Sequence, residues 1–513
     1  MLLKAFIEHE IMSLLKSRRV YWTVILFFLL FVSVFAVRVI DYQKQINQYL
    51  ADVQDADLLM QNPINYSHIS PRAIHRPLIF SIYNQGYKFG RIINIQYYQP
   101  IDRTHRQNEA SVAFGITRNQ LDITFLITFF LSLFVLLISY DCVNGEKQTG
   151  TLRLLLTFPI KRQSFILKKI LGVFIFVAVS ITIPYVLSLV CLIFIYTNLL
   201  SSSFFLSAFF YWFFILLFIF FFSLLGILLS VCSSYPSRSL VYSLLVWILF
   251  SVILPVSWDQ IVAKRLFDNE FTKLHQINID KKGQFNRKWA EIIAETKVDN
   301  SFYNNVYYDN YYHRVYVWGM RHTYKRWYKL LELFNSELYP ASKEIENATD
   351  NIIRYGIFTN NVKNGVFFFN PIILFSDISS TIAGNRADDY LKFLQSGRGI
   401  RDDLISLGAR EGWLFDYRFI ALYIDEFMLD PEDYWWEKLY TIGFGEAYKE
   451  MRVVAEEGGR FSFDMPFIRS YEPPNPSLGE MFSRIALVLM IFVASIMTLF
   501  VLTWYKFMRY DVR

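Results

Sequence analysis

Six apolar runs, each close to the length of a bilayer-spanning helix, leave this chain little choice of fold. A transmembrane helix needs about 20 consecutive apolar residues to cross some 30 Å of hydrocarbon. The runs 20–39, 122–140, 170–200, 204–231, 239–257 and 484–505 reach or approach that length. Within a bilayer the backbone must satisfy its own hydrogen bonds, and apolar runs of this length do so as helices. The expected fold is an all-α polytopic membrane protein: six transmembrane helices with a mostly helical (α+β) extracytoplasmic domain. Composition agrees, since 54% of the residues are hydrophobic and 19% are charged, below the roughly 25% charge of soluble domains.

Charge sets the expected orientation. Arg18 and Arg19, the cluster from Lys147 to Lys169, Arg238, and Lys506 with Arg513 fall on one side at every crossing. Short basic loops stay cytoplasmic, so both termini are expected inside, the 506–513 tail included. Residues 1–19 read as an interfacial amphipathic helix, with Leu3, Phe6, Ile7, Ile11, Leu14 and Leu15 on one face. A signal peptide is the rival reading, but the following apolar run is long for a signal core and no A-x-A-like cleavage site follows. The segments 40–121 and 258–483 are then extracytoplasmic.

In the first of these, Pro63, Pro71, Pro77 and Pro100 punctuate strand-like runs at Leu78–Tyr83 and Arg91–Tyr98 after a polar helical start. The second is long enough for its own core. It reads as helical over Gln260–Lys297, Phe302–Leu338, Glu344–Tyr355 and Asp389–Leu407. Its tyrosine-rich stretch Tyr303–Tyr328 suits either core packing or stacking on a sugar or lipid headgroup. Pro184 falls inside the third span, where it is expected to kink the helix. Cys142, Cys191 and Cys232 are read as lying in or beside the spans on the cytoplasmic half, so the outer segments fold without disulfides.

One polar stretch, 141–169, divides two spans and carries the strongest signal outside them. Thr149–Thr157 within it can form a short helix opened by Gly150 and Thr151, with Leu152, Leu155 and Leu156 on one face and Pro159 as its stop. Such a helix held beneath a membrane either docks into a groove of another protein or merely links two spans. No phosphate loop and no H-E-x-x-H, C-x-x-C or G-x-S-x-G occurs in the chain, and its histidines are scattered without metal-ligand spacing. The pairs Asp388-Asp389 and Asp402-Asp403 are helix neighbours that do not face each other, so they read as solvated charges or caps. The second to sixth apolar cores hold no Lys, Arg, Asp or Glu, which argues against a proton-coupled transporter or an ion channel. A net charge of +6 is accounted for by orientation signals and gives nucleic-acid binding no separate support.

The stretch Tyr140–Gly172 resembles the signature region of permease subunits of ABC-2-type transporters. Glu146, Gly150-Thr151-Leu152, the run Leu154–Leu156, and Pro159 with Arg162 stand in the family's order ahead of Lys168, Lys169 and Gly172. Further pieces are similar to a branch with a large extracytoplasmic insertion, found beside nitrous-oxide reductase maturation and among gliding-associated permeases. They are Arg76-Pro77 with Gly86, Leu121-Asp122, Asn370-Pro371 with Ala383-Gly384 and Tyr390, Asp464–Phe467, and Tyr510–Arg513. The resemblance implies no cofactor on this chain, a partner ATPase that binds ATP and Mg, a second permease copy or paralogue, and the bacterial inner membrane. It makes Thr149–Thr157 the coupling helix, with Glu146 and Arg162 touching the ATPase or holding the loop, and residues 1–19 the family's interfacial elbow. It leaves two functions open: an exporter subunit, or a mechanotransmission or assembly protein acting on a periplasmic partner.

Overall fold

The computed structural model describes residues 12, 14–61, 71–86, 92–95, 121–157, 162–197, 202–257, 272–295, 329, 332–361, 370–410, 469–471 and 478–509. Leu3 to Ile11, Pro159, the Tyr303–Tyr328 stretch, Asp464–Phe467 and Tyr510–Arg513 lie outside these residues. Six helices are long and apolar enough to cross a membrane, so the expected all-α polytopic class is met.

The helix of the first span does not stop at residue 39. Helix α1 runs from Arg18 to Gln61, 44 residues, or about 66 Å at 1.5 Å per residue. That is about twice the hydrocarbon thickness, so the helix continues well past the bilayer. Its far half carries Tyr49 and Ala56 onto Ile74 of strand β1 (Arg72–His75). β1 pairs antiparallel with β2 (Ile92–Asn94). The run Leu78–Tyr83 is not a strand: Ile79–Ile82 form a 3-10 turn. A short wholly apolar run signals burial but not conformation, and here Phe80, Ile82 and Tyr83 are buried among the spans rather than paired in a ladder.

The second span enters as α2 (Ile123–Phe125), capped by the Asp122 carboxylate, which accepts from the Phe125 N–H at 2.7 Å. It passes through a π-turn at Leu126–Leu131 into α3 (Ser132–Ser139). Two short helices follow, α4 (Asn144–Thr149) and α5 (Thr151–Thr157). The third span, α6 (Arg162–Ile195), holds Pro184 inside one continuous helix. Cys191 sits one turn from its far end, so that cysteine is not on the basic half as read from the sequence. Residues 1.5 Å apart along a long helix place it there whatever the loop charges say.

Helix α7 (Ser202–Cys232) is the hub of the bundle and packs against α3, α6, the fifth span, the later helix Pro371–Ala383 and the sixth span. Its side chains Tyr211, Ile215, Phe218, Phe222, Leu224 and Ile227 are essentially inaccessible. The fifth span is α8 (Pro236–Ile248) with a π-turn at Leu249–Ile253, and Trp247 Nε1 donates to the Phe129 carbonyl at 3.1 Å.

Beyond the spans, α9 (Thr272–Glu295) and α10 (Tyr339–Asn361) are amphipathic helices. α11 (Pro371–Ala383) is almost wholly buried, and α12 (Ala387–Arg410) covers the sheet with Tyr390, Phe393 and Leu394 against Ala73 and Ile93. Strand β3 (Arg469–Tyr471) lies parallel to β1, giving the order β2-β1-β3. Strands from both outer segments therefore share one sheet, and the two segments read apart in sequence contribute to one far-side module. The sixth span, α13 (Leu478–Met508), returns to the basic end.

Asp389 is a cap, accepting from the Arg386 N–H at 3.1 Å. Asp402 is not a solvated charge, because it lies between Lys343 and Arg401 in an ion-pair network joining α10 to α12. Arg401, 1% exposed, also pairs with Glu346, and Arg398 Nη1 donates to Asp350 Oδ1 at 2.7 Å. Arg401→Met leaves the buried Glu346 carboxylate only the longer 3.7 Å contact to Arg398 Nε, and is expected to destabilise this module by about 3 kcal/mol. Limited proteolysis of the 339–410 region should become faster, and Glu346→Leu on the same background should restore much of the resistance.

Candidate coupling site at the basic end of the bundle

The stretch after the second span folds as an elbow rather than a single helix over Thr149–Thr157. Gly150 adopts φ 76°, a left-handed conformation that most side chains disfavour. Its N–H closes α4 on the Lys147 carbonyl at 3.3 Å, and its carbonyl accepts from the Arg153 N–H at 3.1 Å to open α5. The Thr149 and Thr151 hydroxyls meet across the bend at 2.8 Å.

The elbow is tied by polar contacts to three other spans. The Arg19 guanidinium of α1 pairs with Asp141 at 2.6 Å and also donates to the Tyr140 hydroxyl. Glu146 pairs with Lys169 of α6 at 2.6 Å, on a lysine that is 8% exposed. The Ser230 hydroxyl of α7 accepts from the Val143 and Asn144 N–H groups at 3.0 and 3.1 Å. Lys147 Nζ donates to the Val231 and Ser233 carbonyls at 2.6 and 3.3 Å, at the negative end of the α7 dipole. Arg162 Nη1 reaches the Met508 carbonyl of α13 at 3.3 Å, beside the stacked rings of Phe165 and Phe507.

Leu152 and Leu155 share a face as expected, but that face turns into the bundle rather than outward. Leu152 is 1% exposed in the chain's own core, and Leu155 is half-buried against the same core. Leu154 is 63% exposed, flanked by exposed Thr151 and Arg153. Leu156 is helical, but its side chain lies outside the described residues, as does Pro159. A helix of this size has too little surface to bury one apolar face and offer the same face outward. The larger neighbour, the bundle itself, takes Leu152.

Glu146, Gly150, Thr151, Leu152 and Leu155 thus belong to one connected elbow, while Arg162 opens α6 and ties it to α13. Reasoning from sequence missed Lys147, Lys169, Asp141 and Ser230 as its anchors. The lysines were visible as orientation charges, and Lys169 also as part of the signature region, but nothing in a single sequence says which helix end or carboxylate a lysine will meet.

Six apolar helices with a polar elbow tied to three of them define a multi-pass α-helical membrane protein. Residues 5–395 match the family described as ABC-2 family transporter protein, and the chain belongs to that family. Over 50 residues it is 48% identical to a probable ABC transporter permease protein NosY of Pseudomonas aeruginosa, covering 10% of this chain and 18% of the relative. Over 60 residues it is 40% identical to the protein of the same name from Stutzerimonas stutzeri, covering 12% and 22%. These curated relatives are matched over less than a quarter of their length.

Proposed function

We propose that this chain is the membrane-spanning permease subunit of an ATP-driven ABC-2-type exporter in the bacterial inner membrane. It sits with both termini and the elbow in the cytoplasm and works with a separate ATPase that binds ATP and Mg, beside a second permease copy or paralogue. One observation carries the reading: α5 is held by its buried Leu152 while exposing Leu154 on a basic, rigidly rooted elbow. A helix displayed in this way suits a groove on a partner. Binding energy spent at Leu154 would then bias two packed arrangements of the spans to which the elbow is tied. The chain would move while the partner hydrolyses.

A second reading, in which ATP-driven motion works the far-side module on a periplasmic partner without moving a substrate, has its own support. Helix α1 passes unbroken from the first span to the β1 strand, and the 3-10 turn and α11 pack within the bundle. Affinity purification from the native membrane tests the common core of both readings. A stoichiometric ATPase is expected; a stable complex with none would overturn it.

A further inference from the structure

Pieces from distant parts of the chain meet at the far end of the bundle. The Asp122 carboxylate accepts from the Gln85 N–H at 3.1 Å, and the Thr124 N–H donates to the Tyr83 carbonyl at 3.1 Å. Asn385 Nδ2 donates to the Asn84 carbonyl at 2.9 Å, and Asn84 Nδ2 to Ser380 Oγ at 3.3 Å. Gly86 lies so near Asn385 that an added Cβ would sit 2.4 Å from its carbonyl oxygen. At its other end, α11 is tied to the fifth span where Asn370 Nδ2 donates to the Phe250 carbonyl at 2.9 Å.

The centre of this junction is aromatic and rests on α7. The Phe375 ring of α11 lies 4.9 Å from that of Phe218 and 5.9 Å from that of Tyr211, both on α7. Tyr211 in turn meets Phe80 of the 3-10 turn at 5.5 Å, and its hydroxyl lies 3.0 Å from that of Thr124. The other end of the same helix is gripped by Lys147, which donates to the Val231 carbonyl, and by the Val143 and Asn144 N–H groups, which donate to its Ser230 hydroxyl. A continuous helix of 31 residues, held by the elbow at one end and by α11 along its farther half, is a stiff rod between two sites.

We propose that α7 is the lever that carries elbow displacement to the far-side module, with Lys147 as the positioning residue at one end and Phe375 at the other. This rests on the ATPase-coupled reading of the elbow. That reading alone would have the second and third spans move, because they are covalently joined to the loop. The lever assigns the motion to a helix that the elbow holds through side chains. Packed helices shift between discrete arrangements rather than deforming smoothly, so a cap on the α7 terminus can select between them.

Hydrogen exchange of the purified complex with its ATPase in nanodiscs tests this, with and without a non-hydrolysable ATP analogue. The readout is the nucleotide-dependent difference in α12, beyond the junction. Wild type is expected to show such a difference, Lys147→Met to lose it, and Lys147→Arg, which keeps a cation at the α7 terminus, to retain it. Phe375→Leu is expected to lose it while ATPase stimulation persists, which covers the case in which Lys147→Met fails to assemble. A difference that survives in both Lys147→Met and Phe375→Leu overturns the lever. So does a wild-type response confined to α4 and α5. Absence of any ATPase from the purified complex appears earlier and strikes the coupling reading instead.

Discussion

Leu154→Asp is expected to abolish stimulation of the partner ATPase while leaving the folded bundle intact. A buried hot-spot side chain at an interface is worth about 2 kcal/mol or more, so affinity should fall by roughly thirtyfold or beyond. The folded chain alone tolerates the change, because Leu154 is 63% exposed. Leu154→Met preserves the apolar contact and should keep most of the stimulation. The neighbouring position behaves differently. Leu152→Asp places an unpaired carboxylate in the core and should prevent accumulation of folded protein altogether. Titration of ATPase stimulation against purified permease, with melting curves of each variant, separates the two effects. Full stimulation by Leu154→Asp would leave α5 a simple link between spans.

The second large effect concerns the approach of α7 to the second span. A Cβ added at Gly226 would lie 1.8 Å from Ser139 Oγ and 2.9 Å from Ser139 Cβ, with Leu136 Cδ2 at 3.4 Å. A hydroxyl can turn away, but the Ser139 Cβ moves only with its helix. Small residues let spans approach closely when the bilayer supplies no hydrophobic drive for association. Gly226→Ala should therefore destabilise the bundle by about 1–3 kcal/mol, and Gly226→Leu should leave no folded protein in detergent. Ser139→Gly on the Gly226→Ala background removes the colliding atoms and should recover most of the loss. Thermal unfolding of the detergent-solubilised chain measures all three. An unshifted melt for Gly226→Leu would contradict the packing at the hub.

The readable part of this fold was the part that the bilayer dictates. Apolar runs such as 204–231 announce a spanning helix because nothing else satisfies the backbone there. Which helix lies at the centre was not announced. α7 is distinguished by what packs around it, and its phenylalanines look from sequence like any lipid-facing ones. The 3-10 turn at Ile79–Ile82 misled for the same reason, since its apolar residues are buried among spans far away in the chain. In the elbow, Gly150 and the leucine run were legible as a short helix. The choice of Leu154 rather than Leu152 as the exposed residue depends on how α5 rolls against the core, which no periodicity encodes. The scattered pieces Pro77, Gly86, Asp122, Asn370 and Gly384 acquire a shared meaning only in three dimensions. Of these, Gly86, Asp122, Asn370 and Gly384 form the hydrogen-bonded caps and close approaches of the far-end junction.

If the exposed face of α5 meets a separate ATPase, site-specific photocrosslinking in native membranes captures that contact. A photoreactive amino acid replaces Leu154, and a control chain carries it at Phe194, 81% exposed near the opposite end of α6. An adduct with an ATPase subunit is expected from position 154 and none from position 194. Adducts from position 154 with lipid or with this chain alone would contradict it.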